Sequence, residues 1–466
     1  MDRAISRRAM LGLVTAAGLS IAACNRSRDS SGRSTTSTVS NTDAVAIATD
    51  AYIFGYPLVL MHATADSNGP VNRFRHTQAT PTAADHIVPG LNVDTLYSSA
   101  WLDLSADALV LQVPAINPGR FWGMQLLDAW SNTVHDPSSM RPGDGREPPF
   151  TYLISGPDWK GTVPDGIEHL TMPTKTAWLL GRIQVDGAAG IPAVLAIQAE
   201  LRLAPLTAWR ADPGAPTPGL PALLGGHGPV PVQDVAALDG RRFFDRLCEL
   251  MAVDAPAPDD APALKRFAKI GIGPGGSVDA VRMADLDAAA AAGRKIIAGY
   301  TDPGARIENG WDFLDNLGTY GTNYRLRAAA AMAGMGANVR RDALYPTIGA
   351  VADSNGEPRS FRLHFERGQL PPVDAFWSLT AYDADGFLVH NPADIYSIGH
   401  QLPPVPGPDG SFEIVLQNAD PGPAVPHGNW LPIPLSGRFS LTLRLYAPRP
   451  EALDGRWKPP ELKPVS

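Results

Sequence analysis

The chain has 466 residues, of which 44% are hydrophobic and 18% charged, and a formal net charge of −8. This length predicts two or three domains with a large core, and the acidic balance excludes a basic nucleic-acid surface. The 45 glycines and 45 prolines together make up less of the chain than the ~25–30% typical of low-complexity sequences, so a disordered chain is excluded. With only two cysteines, a disulfide framework is excluded as well.

Residues 1–23 have the pattern of an export signal. Arg7 and Arg8 precede an uncharged apolar run from Ala9 to Ala23, which is shorter than the ~20 residues of a bilayer span. The run ends at Cys24 in a sequence similar to a bacterial lipobox, and the paired arginines resemble a twin-arginine signal. We therefore predict an exported protein that is lipid-anchored through Cys24 on the extracytoplasmic face of the membrane. An uncleaved anchor is the alternative, and the choice between the twin-arginine and Sec routes stays open.

A tether and a β domain follow the signal. Residues 24–42 are rich in serine and threonine and predict a flexible tether. A helix is expected from Thr42 to about Tyr56, where Pro57 should disturb it. The rest of residues 43–232 alternates short apolar runs with turn pairs, which predicts an antiparallel β-sandwich-like domain. Three such runs are 109–113, 121–127 and 178–185.

Residues 233–320 are predicted to form a small helical domain. Phe243, Leu247 and Leu250 fall on one helical face, so Cys248 between them is expected to be a buried, inert thiol. The glycines of 271–276 satisfy GxGxxG, but no strand precedes them. A loop is therefore favoured over a dinucleotide site.

Residues 321–466 are predicted to form a jelly-roll-like β domain. Apolar and polar residues alternate at 361–366, 412–417 and 439–446, which is typical of strands with one buried face. The predicted fold class is thus mainly β with a small α domain.

The familiar catalytic patterns are absent from the sequence. It contains no GxSxG elbow, P-loop or HExxH motif, and its ten histidines are scattered. We therefore predict no metal and no cofactor. His364 and Glu366 share a strand face, for which a solvated surface is the favoured interpretation.

Carboxylates, amides and aromatics are concentrated in a few segments. Asn92, Asp94 and Tyr97 are either turn residues that bond their own backbone or a pocket in which Asp94 is the general base and the other two orient a substrate. Asp128 and Trp130 are expected on one strand face, as a ligand wall or as a buried indole with a structural carboxylate.

Four further residues complete the candidate set. For Arg444, a solvent-exposed strand face is favoured over a site that binds a carboxylate. Trp377 and Tyr382 lie on another predicted strand, one face of which must belong to the hydrophobic core. The indole of Trp430 lies in a predicted loop that would close a cleft. The candidate ligand-binding residues are Asp128, Trp130, Trp377, Tyr382, Trp430 and Arg444.

Two sets of segments carry a family resemblance. The first resembles the family filed as domain of unknown function 1254, and the second resembles its usual companion, 1214. The first set is Ala51-Tyr52-Ile53-Phe54-Gly55-Tyr56-Pro57, Asn92-Val93-Asp94-Thr95-Leu96-Tyr97 and Leu127-Asp128-Ala129-Trp130. The second set is Asn323-Tyr324-Arg325, residues 371–380, Asn429-Trp430-Leu431-Pro432 and Arg444-Leu445-Tyr446.

The resemblance implies a β-sandwich-like domain, a small helical domain and a jelly-roll domain, with no established activity. The sequence departs from the family pattern at two places. Residues 136–149 form a polar loop with four prolines where the family commonly has threonine and glycine. After Asn391 the family tends to have an arginine before a tyrosine, whereas this chain has Asp394-Ile395-Tyr396.

Three functions remain open from the sequence. The favoured one is a membrane-tethered protein that binds a small, partly apolar or glycan ligand between its β domains. The alternatives are a hydrolase or lyase with Asp94 as general base, and a structural envelope protein. The expected partners are a small molecule and, through the lipid, a membrane, without nucleic acid, and the oligomeric state stays open.

Overall fold

A computed structural model of the chain describes residues 40–86, 89–143, 147–222 and 230–465. The predicted signal, the lipidation site Cys24 and most of the predicted tether lie outside the described residues. The described chain is mainly β with a smaller helical part, as predicted.

The N-terminal β region consists of two sheets packed face to face. One sheet has the strand order β10-β1-β2-β8-β4-β5, and the other has the order β7-β6-β3-β9. Their facing side chains form one core that includes Leu96, Leu111 and Leu179, with Val194 of a covering helix. The strands are β1 (Arg75–His76), β2 (Thr95–Asp103), β3 (Leu109–Val113), β4 (Trp122–Asp128), β5 (Thr133–His135), β6 (Phe150–Ser155), β7 (Glu168–Thr171), β8 (Thr176–Gln184), β9 (Arg202–Pro205) and β10 (Leu220–Pro221), and the helix is α2 (Gly187–Glu200).

The helical region is built around the first helix of the described chain, α1 (Asn41–Asn68). It contacts helices that follow the N-terminal β region, and together they bury an apolar core that includes Tyr52, Phe54 and Phe243. A short helix, α3 (Leu206–Ala211), packs against β3 and β9 of the N-terminal β region. The helices around α1 are α4 (Pro231–Ala237), α5 (Gly240–Val253), α6 (Ala261–Phe267), α7 (Met283–Ala298) and α8 (Tyr324–Gly334).

Helix α1 is nearly twice as long as the sequence predicted, with 28 residues. Ser40 caps its first turn by accepting from the backbone N–H of Asp43, and the helix continues through Pro57 to Asn68. Proline removes one backbone hydrogen bond, but this helix is buried on nearly all sides, and packing holds it in shape. The helix is apolar and long enough to cross a membrane, yet 83% of its most apolar window is buried inside the protein. It therefore serves here as a core helix.

The C-terminal β region also pairs two sheets. One has the order β11-β12-β14-β22-β18-β19, with β13 paired to β22, and the other has the order β21-β20-β17-β23. Their facing apolar side chains, such as Leu363, Leu379 and Leu443, form its core. The elements are β11 (Arg306–Glu308), β12 (Trp311–Phe313), β13 (Ala343–Leu344), β14 (Thr347–Val351), β15 (Asp353–Ser354), β16 (Glu357–Pro358), β17 (Ser360–Phe365), β18 (Trp377–Tyr382), β19 (Ser397–Gly399), β20 (Phe412–Leu416), β21 (Trp430–Leu431), β22 (Arg438–Tyr446), α9 (Pro450–Leu453) and β23 (Lys463–Val465).

Several local predictions are confirmed by these elements. The alternating run at 361–366 is a strand with one buried face, and His364 lies on its exposed side at 3.4 Å from Glu366. Cys248 is a buried free thiol, and burial raises its pKa. The glycines at 271–276 lie in turns without a preceding strand.

Candidate functional site

A polar cluster lies where the two β regions meet, and it begins in the turn before β2. The side-chain oxygen of Asn92 accepts from the backbone N–H of Asp94 at 2.7 Å, which is the local bond expected of a turn residue. The amide nitrogen of Asn92 lies 3.1 Å from the hydroxyl oxygens of both Tyr97 and Tyr446. Asn92 therefore shapes its own turn and connects the two β regions.

The C-terminal β region contributes one face of β18 and β22. Ser378 pairs with Arg444, and Thr380 pairs with Thr442, so these polar side chains share a face of the sheet. The sequence analysis favoured a solvated face for Arg444. That prediction is wrong, because this face packs against the N-terminal β region and leaves Arg444 only 5% exposed.

Asp94 bonds across the contact between the β regions. It is 0% exposed, and its carboxylate accepts from the Ser378 hydroxyl at 2.6 Å. Gln401 Nε2 donates to the neighbouring Val93 carbonyl at 2.7 Å. His400 Nδ1 is buried 3.9 Å from the Asp94 carboxylate and has no hydrogen-bond partner within the described chain. The Asp94 side chain thus takes part in the contact and is not a turn-former.

Arg444 is held in the cluster by neutral acceptors. Its guanidinium donates to the Tyr382 hydroxyl at 2.6 Å, to Thr380 Oγ1 at 3.1 Å and to the Gly90 carbonyl at 3.1 Å. Burial opposes its charge, but the nearby Tyr382 and Asp94 outweigh burial and raise the pKa of Arg444. The residue is therefore a buried cation at any ordinary pH.

Arg182 is a second buried cation on the opposite side of the cluster. From near the end of β8 it donates to Gln125 Oε1 at 2.6 Å, to Asn338 Oδ1 at 3.0 Å and to the Gly336 carbonyl. Its guanidinium lies 5.5 Å from the centre of the Tyr97 ring. Burial disfavours its charge, but Tyr97 and other tyrosines more than offset this and raise the pKa of Arg182.

The acceptors of both arginines are uncharged. Within the described ranges, neither guanidinium has a carboxylate oxygen at ion-pair distance, and Asp94 is the carboxylate whose charge acts on Arg444. Buried charges are normally paired, because removal from water is costly. The cluster is accordingly rich in positive charge.

A small cavity adjoins Arg182. Its volume is about 10 Å³, and Gln125, Ser138 and Asn338 are among its lining residues. The buried Ser138 hydroxyl has no hydrogen-bond partner within the described chain. This space holds about one water molecule, so the contact between the β regions is closed at this point.

The structure divides the candidate residues of the sequence analysis into two groups. Asn92, Asp94, Tyr97, Tyr382 and Arg444 lie together in the cluster. Four candidate residues lie outside the cluster: Asp128, Trp130, Trp377 and Trp430.

Each residue outside the cluster has structural contacts where it lies. Strand β4 ends at Asp128, whose carboxylate accepts from the backbone N–H groups of Trp130 and Asn132. Asp128 therefore closes a turn, and the expected strand face shared with Trp130 does not form. The Trp130 indole donates to the Asp254 carbonyl at 3.2 Å in the helical core.

Trp377 and Trp430 belong to the C-terminal core. Trp377 points away from its neighbour Ser378 and packs near Phe365. Trp430 is 2% exposed and donates to the Gln417 carbonyl at 3.0 Å. The predicted loop at Trp430 is in fact a short helical turn followed by β21, so this indole closes no cleft.

Sequence reasoning missed several members of the cluster, among them Gln125, Arg182, Ser378 and His400. Gln125 precedes the segment of Asp128 and Trp130, in which only those two residues were assigned a role. Arg182 lies in a run that indicated only a strand, His400 carried no assignment, and the alternation at Ser378 indicated only a strand. Arg182 did carry a signal, because it is a single charge inside the apolar run 178–185. No local signal marks His400, whose place in the cluster depends on contacts between distant segments.

Two family models match this chain, one on each side of the cluster. The family model described as "Protein of unknown function (DUF1254)" matches residues 71–205, and that of "Protein of unknown function (DUF1214)" matches residues 342–450. The chain belongs to the family that carries these two domains in tandem. The cluster lies between the DUF1254 domain, which supplies Asp94 and Arg182, and the DUF1214 domain, which supplies Ser378 and Arg444.

One solved structure supports the fold, and a second is reported beside it. The VPA0106 protein from Vibrio parahaemolyticus is 21% identical with a TM-score of 0.66, over 91% of this chain and 100% of that chain. An uncharacterised protein from Burkholderia cenocepacia is 12% identical with a TM-score of 0.45, over 91% of this chain and 95% of that chain. A search of curated proteins finds no match.

Proposed function

We propose that this protein binds a small polar ligand, of the size and hydroxyl content of a glycan unit, between its DUF1254 and DUF1214 domains. The observation that carries the proposal is the incomplete pairing of the buried cluster. Among the described residues, Arg182 and Arg444 have only neutral acceptors, and His400 Nδ1 has no hydrogen-bond partner. Buried polar groups without partners are rare in folded proteins, and they often mark binding sites.

The side chains of the cluster are suited to a polar ligand such as a glycan, rather than to an apolar one. Three tyrosine side chains, those of Tyr97, Tyr382 and Tyr446, converge there with the Asn92 amide. The tryptophans expected to stack on an apolar ligand lie in the domain cores. Hydroxyl and amide groups bind the hydroxyls of a sugar, and these hydroxyls can replace bound water because they reproduce its hydrogen bonds. Because the adjoining cavity holds about one water, entry of a ligand requires the two domains to separate locally.

Native mass spectrometry of the gently purified chain, followed by a soluble glycan library, tests the proposal. We expect a ligand adduct on the wild-type protein and at least ~10-fold weaker binding in Tyr97→Phe, which loses one hydroxyl in the cluster. Trp430→Phe is the matched control, since it alters a ring outside the cluster and should bind normally. Absence of any adduct, or equal binding by Tyr97→Phe, would refute the proposed site.

A hydrolase or lyase is the second candidate function. The observation that favours it is the close approach of Asp94, Ser378 and His400, because an imidazole with a free nitrogen beside a carboxylate is suited to proton transfer. Asp94→Asn separates the two functions. If Asp94 is the general base, this variant should lose turnover and keep most of its ligand binding. Equal loss of both in a normally folded variant would exclude Asp94 as the base.

We also propose that the mature protein is exported and attached to a membrane by a lipid on Cys24. The support is the sequence pattern of residues 1–24, namely two arginines, an uncharged apolar run and a cysteine. The intact mass of protein extracted from membranes should correspond to a chain that begins at a lipidated Cys24. A mass that includes residues 1–23 would instead support the uncleaved anchor.

A further inference from the structure

We propose that the helical region carries a separate binding site for a small aromatic carboxylate, in a surface pocket between α1, α6 and α8. The pocket has a volume of about 160 Å³ and lies outside both matched domains. An apolar cavity of about 150 Å³ is large enough to bind benzene. The pocket is therefore of the right size for one six-membered ring, and this inference is independent of the function proposed above.

The floor and one wall of the pocket are apolar. Ile53 and Phe267 form the floor and are each 2% exposed, and the Tyr324 ring forms a wall. The Phe54 ring packs at 5.3 Å from Phe267 and 5.0 Å from Tyr324, measured between ring centres. These edge-to-face contacts hold the Phe267 and Tyr324 rings in place, and both rings remain able to contact a ligand ring.

The Tyr324 wall is fixed at its polar end as well. The Tyr324 hydroxyl donates to Asp260 Oδ1 at 2.9 Å. Burial and this bond to a carboxylate raise the pKa of Tyr324 to about 12, so the phenol stays protonated and neutral. Because the ring is oriented without a ligand, binding costs little side-chain entropy here.

The rim of the pocket supplies one unpaired positive charge. Asp50 and Arg266 lie on the rim and form an ion pair with each other. Arg325 is also on the rim, is exposed, and has neither a hydrogen bond nor an ion pair within the described residues. A ring carrying a carboxylate complements this arrangement, because the ring covers the apolar floor while Arg325 binds the carboxylate with paired N–H groups.

Ligand-observed NMR titrations on the full chain test the inference with three probes of equal ring size. We expect saturable binding of benzoate, with benzyl alcohol and benzylammonium each at least ~10-fold weaker, since they lack the negative charge. Equal affinity for the three probes, stronger binding of benzylammonium, or no saturable benzoate binding would overturn the proposal.

Two variants locate the site, and two more serve as controls. Arg325→Gln should weaken benzoate about tenfold, the effect of losing one charge-assisted hydrogen bond, and Ala263→Trp should abolish binding by filling the pocket. Arg367→Gln alters an exposed arginine of the C-terminal β region and should bind benzoate like the wild type. Tyr97→Phe should also bind normally, which separates this site from the interdomain cluster. Normal benzoate binding by Arg325→Gln would place the ligand elsewhere and refute the assignment.

Discussion

Asp94→Ala is expected to lower the free energy of unfolding by about 3 kcal/mol, in the range measured when one member of a buried charged network is removed. The substitution leaves the Ser378 hydroxyl without its acceptor and removes the buried carboxylate whose charge acts on Arg444. A urea titration followed by circular dichroism measures the change.

Two matched substitutions show whether burial is the cause. Asp94→Asn keeps an oxygen that accepts from Ser378 and should cost clearly less than Asp94→Ala. Asp165→Ala removes an exposed carboxylate and should stay within about 0.5 kcal/mol of the wild type. If Asp94→Ala unfolds at the same urea concentration as Asp165→Ala, the carboxylate does not stabilise the contact between the β regions.

Gly293→Ala is expected to destabilise the protein by about 2 kcal/mol, the usual cost of overpacking a core. Gly293 lies in the middle of α7 where it crosses α1, and an added Cβ would lie 2.5 Å from the Tyr52 ring and 3.0 Å from Tyr52 Cβ. The stem of that side chain cannot move without shifting α1. A thermal or urea unfolding curve measures the loss.

Gly190→Ala is the control, and it should change the stability in the opposite direction. Gly190 also lies within a helix, α2, but an added Cβ would make only ordinary contacts, with Asp186 Cβ nearest at 3.4 Å. Alanine is the better helix former by roughly 0.5–1 kcal/mol, so this variant should be slightly more stable than the wild type. A stabilised Gly293→Ala would show that the two helices do not pack closely at this crossing.

The sequence was sufficient for features that depend on local periodicity. Alternation at 361–366 and 439–446 predicted strands correctly, and apolar helical spacing placed Phe243 and Leu247 in a helical core. The predicted end of α1 at Pro57 was wrong, because the burial that sustains this helix comes from partners far along the chain.

The cluster could be predicted only in part, for a related physical reason. Asn92, Asp94 and Tyr97 were found because polar and aromatic residues lie close together in one segment. The polar faces of β18 and β22 have the same alternation whether they meet water or another domain, so Arg444 was assigned to solvent. Only the contact between the two sheets reveals which partner each polar group has.

The position of α1 in the chain has a consequence for biosynthesis. This helix is translated well before the helices that cover it, which begin with α4 at Pro231, after the whole DUF1254 domain. At about 5–20 residues per second, a ribosome needs roughly ten seconds or more to reach them. During this interval an apolar helix of 28 residues lacks its helical partners. A chaperone that shields it until α8 has emerged would protect the nascent chain from aggregation.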